Sequence, residues 1–211
     1  MGSISIIGLG NMARALAGRA LAGGNTVEII GRDQARAKEL AAALGGATVG
    51  TAGAAPAGDI VVLAVPYAAA AAVVVSEYGD ALQGKVIIDI TNPVSPDFLG
   101  FVTPDGSSGA QEIAKAAPAD AHVVKAFNTL FSHVLAAGPA EGRPLDVFIA
   151  GDDAQAKARV SAFVESLGLR PMDAGQLEMA RALENAGLLM MGLVAHSVKH
   201  TDFSLGVSLL G

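Results

Sequence analysis

The chain contains no cysteine. That excludes a disulfide framework, a thiolate zinc site and a cysteine nucleophile, and it fits a reducing cytoplasm, the expected location. Rings are scarce: aromatic residues are 4% of the 211, so the core must rest on the close backbone approach that abundant Ala and Gly allow. Charge is scarce too, at 16% against 52% hydrophobic residues, a balance that excludes a disordered chain. Basic residues are outnumbered 14 to 20, giving a formal charge of −6. A surface of that sign repels phosphate backbones, so no nucleic-acid partner is expected, although one local basic pocket can still hold a phosphorylated small molecule. No long apolar run is present. The apolar run at residues 64–75 is too short for a bilayer and carries Pro66, so no membrane partner is expected. No signal peptide is expected either, because the chain starts on a strand-like SISII without a basic region or cleavage site.

What is present is an alternation of β-branched runs with helical stretches. Strands are predicted at residues 3–7, 26–30, 60–65, 86–90, 122–127 and 146–150, with a short one near 170–173. Helices are predicted at 12–22, 33–44, 67–78, 110–116 and 153–167. Asp33 is placed to cap the second helix, and Asp152 and Asp153 to cap the last of these. Residues 92–109, with three prolines, read as a loop. Strand–helix–strand units of this length imply a Rossmann-type α/β fold, a doubly wound parallel sheet with right-handed connections. Residues 1–211 are expected to form a single nucleotide-binding domain. Residues 176–211 read as a C-terminal helical segment packed on it, broken near Gly187 and Gly192.

Gly8-Leu9-Gly10-Asn11-Met12-Ala13 is a GxGxxA string directly after a strand and at the start of a helix, the context that separates a dinucleotide fingerprint from an ordinary Gly-rich turn. Gly8 permits the turn, Gly10 lets the backbone approach a pyrophosphate, and Ala13 keeps the helix close to the sheet. The helix N-terminus offers free N–H groups and partial positive charge to the phosphates.

About 20 residues past such a fingerprint, NAD-binding folds carry an acid that binds the ribose 2′-OH. Here that place is Gly31, followed by Arg32, with Arg36 one turn further on. A carboxylate would repel a 2′-phosphate, whereas a planar guanidinium binds it with paired hydrogen bonds, so the cofactor expected is NADP(H). Solvated charges at a helix start are the plain alternative for both arginines. Glu28 is acidic but lies mid-strand. Two further loops, Ala64-Val65-Pro66-Tyr67 and Thr91-Asn92-Pro93, follow buried strands and should lie at the carboxyl ends of the sheet, where ligands bind. Prolines that merely start a helix would look the same.

Taken together, GLGNMA, IIGRD, AVPY, ITNPV, VKAFNT and LRPMDAG resemble the family of NADP oxidoreductases typified by coenzyme F420-dependent NADP reductases, over essentially the whole chain. The resemblance implies NADP over Gly8, Leu9, Gly10, Asn11 and Met12, with Gly31, Arg32 and Arg36 at the 2′-phosphate. Val65, Pro66, Thr91 and Asn92 would line the nicotinamide half. It implies direct hydride transfer to a deazaflavin, which needs stacking and distance control rather than an acid–base pair. Deazaflavin-using members carry a His at the position of Asn128. The form Lys125-Ala126-Phe127-Asn128-Thr129 is similar to broader relatives, and related domains of metal-reducing membrane proteins use NADPH with a flavin. The second substrate is therefore a small-molecule redox acceptor: coenzyme F420, a flavin, a small carbonyl or imine, or a ferric chelate. A non-catalytic NADP(H)-binding sensor is the alternative. Asn128 and Lys125 are the acceptor-side candidates, an ordinary ion-paired Lys125 being the competing reading. The apolar C-terminal segment is expected to cover the nicotinamide side and to support a homodimer. His196 and His200 are spaced i, i+4, but no third ligand is evident and no metal site is expected.

Overall fold

The computed structural model describes residues 2–140, 144–208 and 210. The β-branched runs form strands β1 (Ser3–Ile7), β2 (Thr26–Ile30), β3 (Thr48–Val49), β4 (Ile60–Leu63), β5 (Val86–Asp89), β6 (His122–Lys125), β7 (Asp146–Gly151) and β8 (Arg170–Gly175). They make one sheet in the order β3-β2-β1-β4-β5-β6-β7-β8. Neighbouring residues along each strand face opposite sides. Ile6, Ile29, Val62 and Ile88 point into one core, and Ile7, Ile30, Val61 and Ile87 into the other. The central strands are therefore largely apolar on both faces, and each fully buried Ile or Val stabilises the fold by about 1.5–3 kcal/mol.

The first core is covered by α1 (Asn11–Ala22), α2 (Gln34–Leu44) and α6 (Ala154–Ser166), through residues such as Leu16, Leu40 and Val160. The second is covered by α3 (Tyr67–Ala72), its π-helical continuation Val73–Tyr78, and α4 (Gly109–Ala116). Asp33 caps α2 by accepting from the Arg36 N–H at 3.1 Å, and Asp153 caps α6 by accepting from Ala156 at 2.7 Å. Asp152 instead accepts from Leu177 at 2.8 Å, so it holds the start of the C-terminal segment rather than α6.

The fold is the doubly wound sheet expected, with three corrections. β7 runs antiparallel to β6, pairing Val124 with Gly151. The chain leaves β6 at Lys125, two residues earlier than the sequence suggests, turns at Phe127 (φ 62°), and forms a short helix, α5 (Ser132–Ala137), that packs on α1. It thus re-enters the sheet from the end it left, without a crossover. Second, α7 (Ala180–Leu193) runs unbroken through Gly187 and Gly192. One glycine costs a helix about 1 kcal/mol, too little to end one whose apolar face is buried. Third, helical structure stops at Val198, where Lys199 adopts φ 63°, and no regular structure follows over residues 199–208. His196 and His200 therefore do not share a helix face. The expected segment also takes in residues 209 and 211, which lie outside the described residues.

Candidate functional site

The chain leaves β1 toward α1, forms β2 and β3 on one side, then returns to β4 on the other side of β1, so a crevice opens at the carboxyl ends of β1 and β4. Gly8 stands at its base with φ 136°, its N–H donating to Ile30 O at 2.9 Å. A Cβ there would lie 2.1 Å from the Ala64 carbonyl oxygen, so only glycine lets β1 and β4 close at this point. Gly10 is the opposite case: exposed, with nothing within 4 Å of where its Cβ would be. As N-cap of α1 it makes no side-chain cap, so the first-turn N–H groups at Asn11 and Met12 face open space. A bare helix N-terminus beside an unobstructed backbone fits a pyrophosphate.

Leu9 is half-buried against Gly31, where a Cβ would lie 2.5 Å from its Cδ1. Arg32 and Arg36 are both exposed at the end of β2 and the start of α2, and among the described residues neither guanidinium joins a salt bridge. Glu28 is engaged elsewhere, accepting from the Ser5 hydroxyl at 2.5 Å and the Ala57 N–H at 2.9 Å. The carboxyl end of β2 therefore presents, among the described residues, two unpaired guanidinium groups, while the Asp33 carboxylate is turned to the Arg36 N–H as the cap of α2, an arrangement that fits a 2′-phosphate.

Gly10, Asn11 and Met12 meet Ala64, Val65, Pro66, Asn92 and Asn128 around a cleft of about 380 Å³. Asn92 and Asn128 hold one another across it. The Asn128 amide donates to Asn92 Oδ1 at 2.9 Å and to Leu183 O on α7 at 2.8 Å, while the Asn92 amide donates to Asn128 O at 2.9 Å. Asn128 Oδ1 is buried and, among the described residues, has no hydrogen-bond partner. Gly187 lets α7 come close here, since a Cβ would sit 2.6 Å from Asn92 Oδ1.

Thr91, Pro93 and Lys125 lie behind this cleft rather than in its lining. Pro93 is buried, its carbonyl accepting from the Val102 N–H at 2.8 Å. Lys125 is fully buried, with its ammonium 2.8 Å from Asp89 Oδ2 and 2.8 Å from Glu184 Oε1, and it also donates to Thr91 O. Glu184 in turn accepts from the Gly109 N–H at the start of α4, at 2.9 and 3.2 Å. Two carboxylates against one ammonium leave the cluster one negative charge in excess, offset by N–H donors from Gly109 and Thr91. Beside it, burial raises the Tyr67 hydroxyl pKa, helped by the negative charges of Glu112, Glu184 and Asp89. Glu184 has no assigned role in the sequence reading. Its signal is a charged residue in the buried series Ala180, Leu183, Glu184, Gly187, Met190.

A second, apolar cavity of about 650 Å³ adjoins the cleft, and Phe131 lines both. One wall is the tip of a hairpin-like loop, residues 94–101, closed by the Val94–Phe101 bridge and carrying Phe98 and Leu99. The other is Leu188 and Met191 of α7 with Val194 beyond it. Arg181 ties the two walls together: its guanidinium stacks 4.2 Å over the Phe101 ring and donates to Thr103 and Ser107, each at 2.9 Å. Nothing in the local sequence marks this cavity, because its walls come from segments about 90 residues apart that look like ordinary loop and core.

Among the described residues, no group of three or more His, Asp or Glu side chains is placed to hold a metal, and no helix is long and apolar enough to cross a membrane.

Comparison with known proteins agrees with this geometry. The family described as coenzyme F420-dependent NADP oxidoreductase matches residues 3–93. The F420-dependent NADP reductase of Methanothermobacter marburgensis is 31% identical over 175 residues, covering 79% of this chain and 72% of that protein. Metalloreductase STEAP3 of Rattus norvegicus is 31% identical over 191 residues, but this chain, 89% of which is matched, spans only 37% of that protein's length. The solved structure of a candidate F420-dependent NADP reductase from Arthrobacter sp. fb24 superposes with a TM-score of 0.86 at 25% identity, covering 99% of this chain and 100% of that one. With a relative matched at this identity over most of both lengths, and with the glycine turn, bare helix start and paired arginines in place, the chain belongs to the family of coenzyme F420-dependent NADP oxidoreductases.

Proposed function

We propose that this protein is an NADPH-dependent reductase that passes a hydride to a conjugated small-molecule acceptor, such as coenzyme F420 or a flavin. The observation that carries this reading is the adjacency of two spaces: the cleft over Gly10 and Met12 lies beside an apolar cavity, and Phe131 lines both. A sensor that only binds nucleotide has no use for the second space.

In this reading Gly8, Leu9, Gly10, Asn11 and Met12 hold the pyrophosphate with backbone N–H groups. Gly31 leaves room at the adenosine end, and Arg32 and Arg36 bind the 2′-phosphate. Ala64, Val65, Pro66 and Asn92 form the wall against the nicotinamide, while Thr91 and Pro93 support it from behind. Asn128 fixes Asn92, and Lys125 acts through the buried cluster rather than on the acceptor. When bound, NADPH supplies a hydride from its nicotinamide C4, and the acceptor gains that electron pair together with a proton from water. The residues contribute orientation and exclusion of water, which for stacked rings is most of what the step requires. The sheet and the C-terminal segment act as one unit. A homodimer is supported by exposed Leu189 and Val102, and the lack of cysteine fits a cytoplasmic site.

Steady loss of NADPH absorbance on addition of coenzyme F420, FMN, FAD or a ferric chelate tests the proposal. Tight NADPH binding with no turnover on any acceptor would leave the sensor reading in its place.

A further inference from the structure

The fold keeps a net charge where water does not reach it. Asp89, Lys125 and Glu184 are all fully buried, and two carboxylates face one ammonium, each 2.8 Å from it. All four carboxylate oxygens are occupied as acceptors. Asp89 Oδ1 takes the Thr91 N–H at 2.9 Å and Oδ2 takes the ammonium. Glu184 Oε1 takes the ammonium and shares the Gly109 N–H with Oε2. That is the pattern of two ionised acids, so the cluster carries one negative charge. Well-packed apolar side chains in place of a buried ion cluster are often as stable or more so, and stability alone does not account for the charge.

The cluster lies directly behind the cleft. Asp89 precedes Ile90, Lys125 stands two positions before Phe127, and Glu184 follows Leu183, whose carbonyl accepts from Asn128. Ile90, Phe127 and Asn128 all line the cleft, and none of its described lining residues is charged. Other ionic groups near the cluster are in contact with water. Arg181 is half-buried and turned to Thr103 and Ser107, and Glu112 pairs with exposed Lys115 at 2.7 Å. Solvent screens those charges far more than it screens a buried one. The field also reaches the rim of the cleft. Burial raises the hydroxyl pKa of Tyr67, next to Pro66 of the lining, and the charges of Glu112, Glu184 and Asp89 raise it further.

We propose that the buried negative charge sets the redox poise of the bound cofactor, holding the cationic nicotinamide of NADP⁺ more firmly than the neutral ring of NADPH. The inference rests on the reading that NADP(H) occupies the cleft. NADP⁺ and NADPH differ at the ring by a hydride, one proton and two electrons, and so by one positive charge. An opposite charge in the low dielectric behind the wall favours the oxidised state, which makes bound NADPH the stronger reductant. The cluster acts through space rather than on the reacting atoms.

Dissociation constants of NADP⁺ and NADPH, measured calorimetrically on the full chain, test this, because their ratio fixes the potential of the bound couple relative to the free one. Glu184→Gln keeps an oxygen for the Gly109 N–H and removes the excess charge. It should weaken NADP⁺ relative to NADPH by about three- to tenfold. Tenfold corresponds to about 30 mV for a two-electron couple. Asp89→Asn removes the same charge from another element. It should shift the ratio the same way, and it decides the question if Glu184→Gln does not fold. A merely structural role would weaken both cofactors alike and leave the ratio where it was. An unchanged ratio in a folded variant, or one moved in favour of NADP⁺, overturns the inference while the cofactor reading stands. If the parent binds neither cofactor, the cofactor reading fails and the inference fails with it.

Discussion

Glu184, on the C-terminal helix, meets the ammonium of Lys125, on the sixth strand, at 2.8 Å, and both side chains are entirely out of solvent. Asp89 completes the cluster from the neighbouring strand. Removing the ammonium that pairs with both leaves two buried carboxylates stranded, so Lys125→Met should lower stability by about 3–5 kcal/mol, the cost of breaking a buried pair from one side. Glu184→Gln should cost far less, because it removes the excess negative charge and keeps an oxygen for the Gly109 N–H. Denaturant unfolding of the two variants measures the difference. Equal losses would mean that the charge imbalance in the cluster does not matter.

The two fingerprint glycines should separate stability from binding. At Gly8 any side chain meets the Ala64 carbonyl and a backbone of φ 136°, so Gly8→Ala should destabilise the fold itself. At Gly10 a Cβ meets nothing, so Gly10→Ala should leave stability within about 0.5 kcal/mol of the parent, as for an unstrained surface change. It should nevertheless weaken NADPH binding, because the methyl takes the space of the pyrophosphate. Thermal melts with and without NADPH read both effects. A Gly10→Ala protein with unchanged NADPH affinity would remove the phosphates from this helix.

Arg32 is exposed at the end of the second strand, where NAD-binding folds place an acid. Arg32→Ala should weaken NADPH binding by about 1–3 kcal/mol, the range for a lost charged hydrogen bond, and leave NADH binding almost unchanged. Parallel titrations with the two cofactors check this, and equal losses would refute the assignment.

Acid should loosen the far edge of the sheet first. Burial raises the carboxyl of Asp146, but hydrogen bonds from Arg170 and the Val207 N–H, together with the Arg170 charge, outweigh it and hold it below the ordinary 3.8. Asp173 is held below 3.8 in the same way, by Lys157 and the Gly175 N–H against burial. A folded value below the unfolded one supplies stability that is complete above the unfolded pKa and lost as pH falls through the folded one. The loss should therefore begin only below about 3.8. Asp146→Asn should be less stable than the parent near neutral pH, and the gap should shrink under acid. A gap that stays constant down through that range would exclude Asp146 as a source of the acid sensitivity.

The sequence by itself determined what depends on short spans of chain. The alternation of β-branched runs and helical stretches specifies the layered sheet, because burial on both faces requires apolar residues at every position of Ile60–Leu63 and at Val86, Ile87 and Ile88. The turn at Gly8 and the cap at Asp33 were equally legible, since each is set by residues within a few positions of one another. Tertiary structure decided the rest. The direction of β7 follows from where α5 packs, and the sequence reading contains no helix there. The continuity of α7 through Gly187 follows from its fit against Asn92, which outweighs the glycine's entropic cost. Lys125 reads as a residue at the mouth of the site, yet its charge is neutralised by Asp89 and Glu184, 36 and 59 positions away along the chain. The apolar cavity joins Phe98 to Met191 in the same way. Local pattern fixes which face of an element is buried, but which elements share that burial depends on long-range packing, and the partners of a buried charge are known only once that packing is.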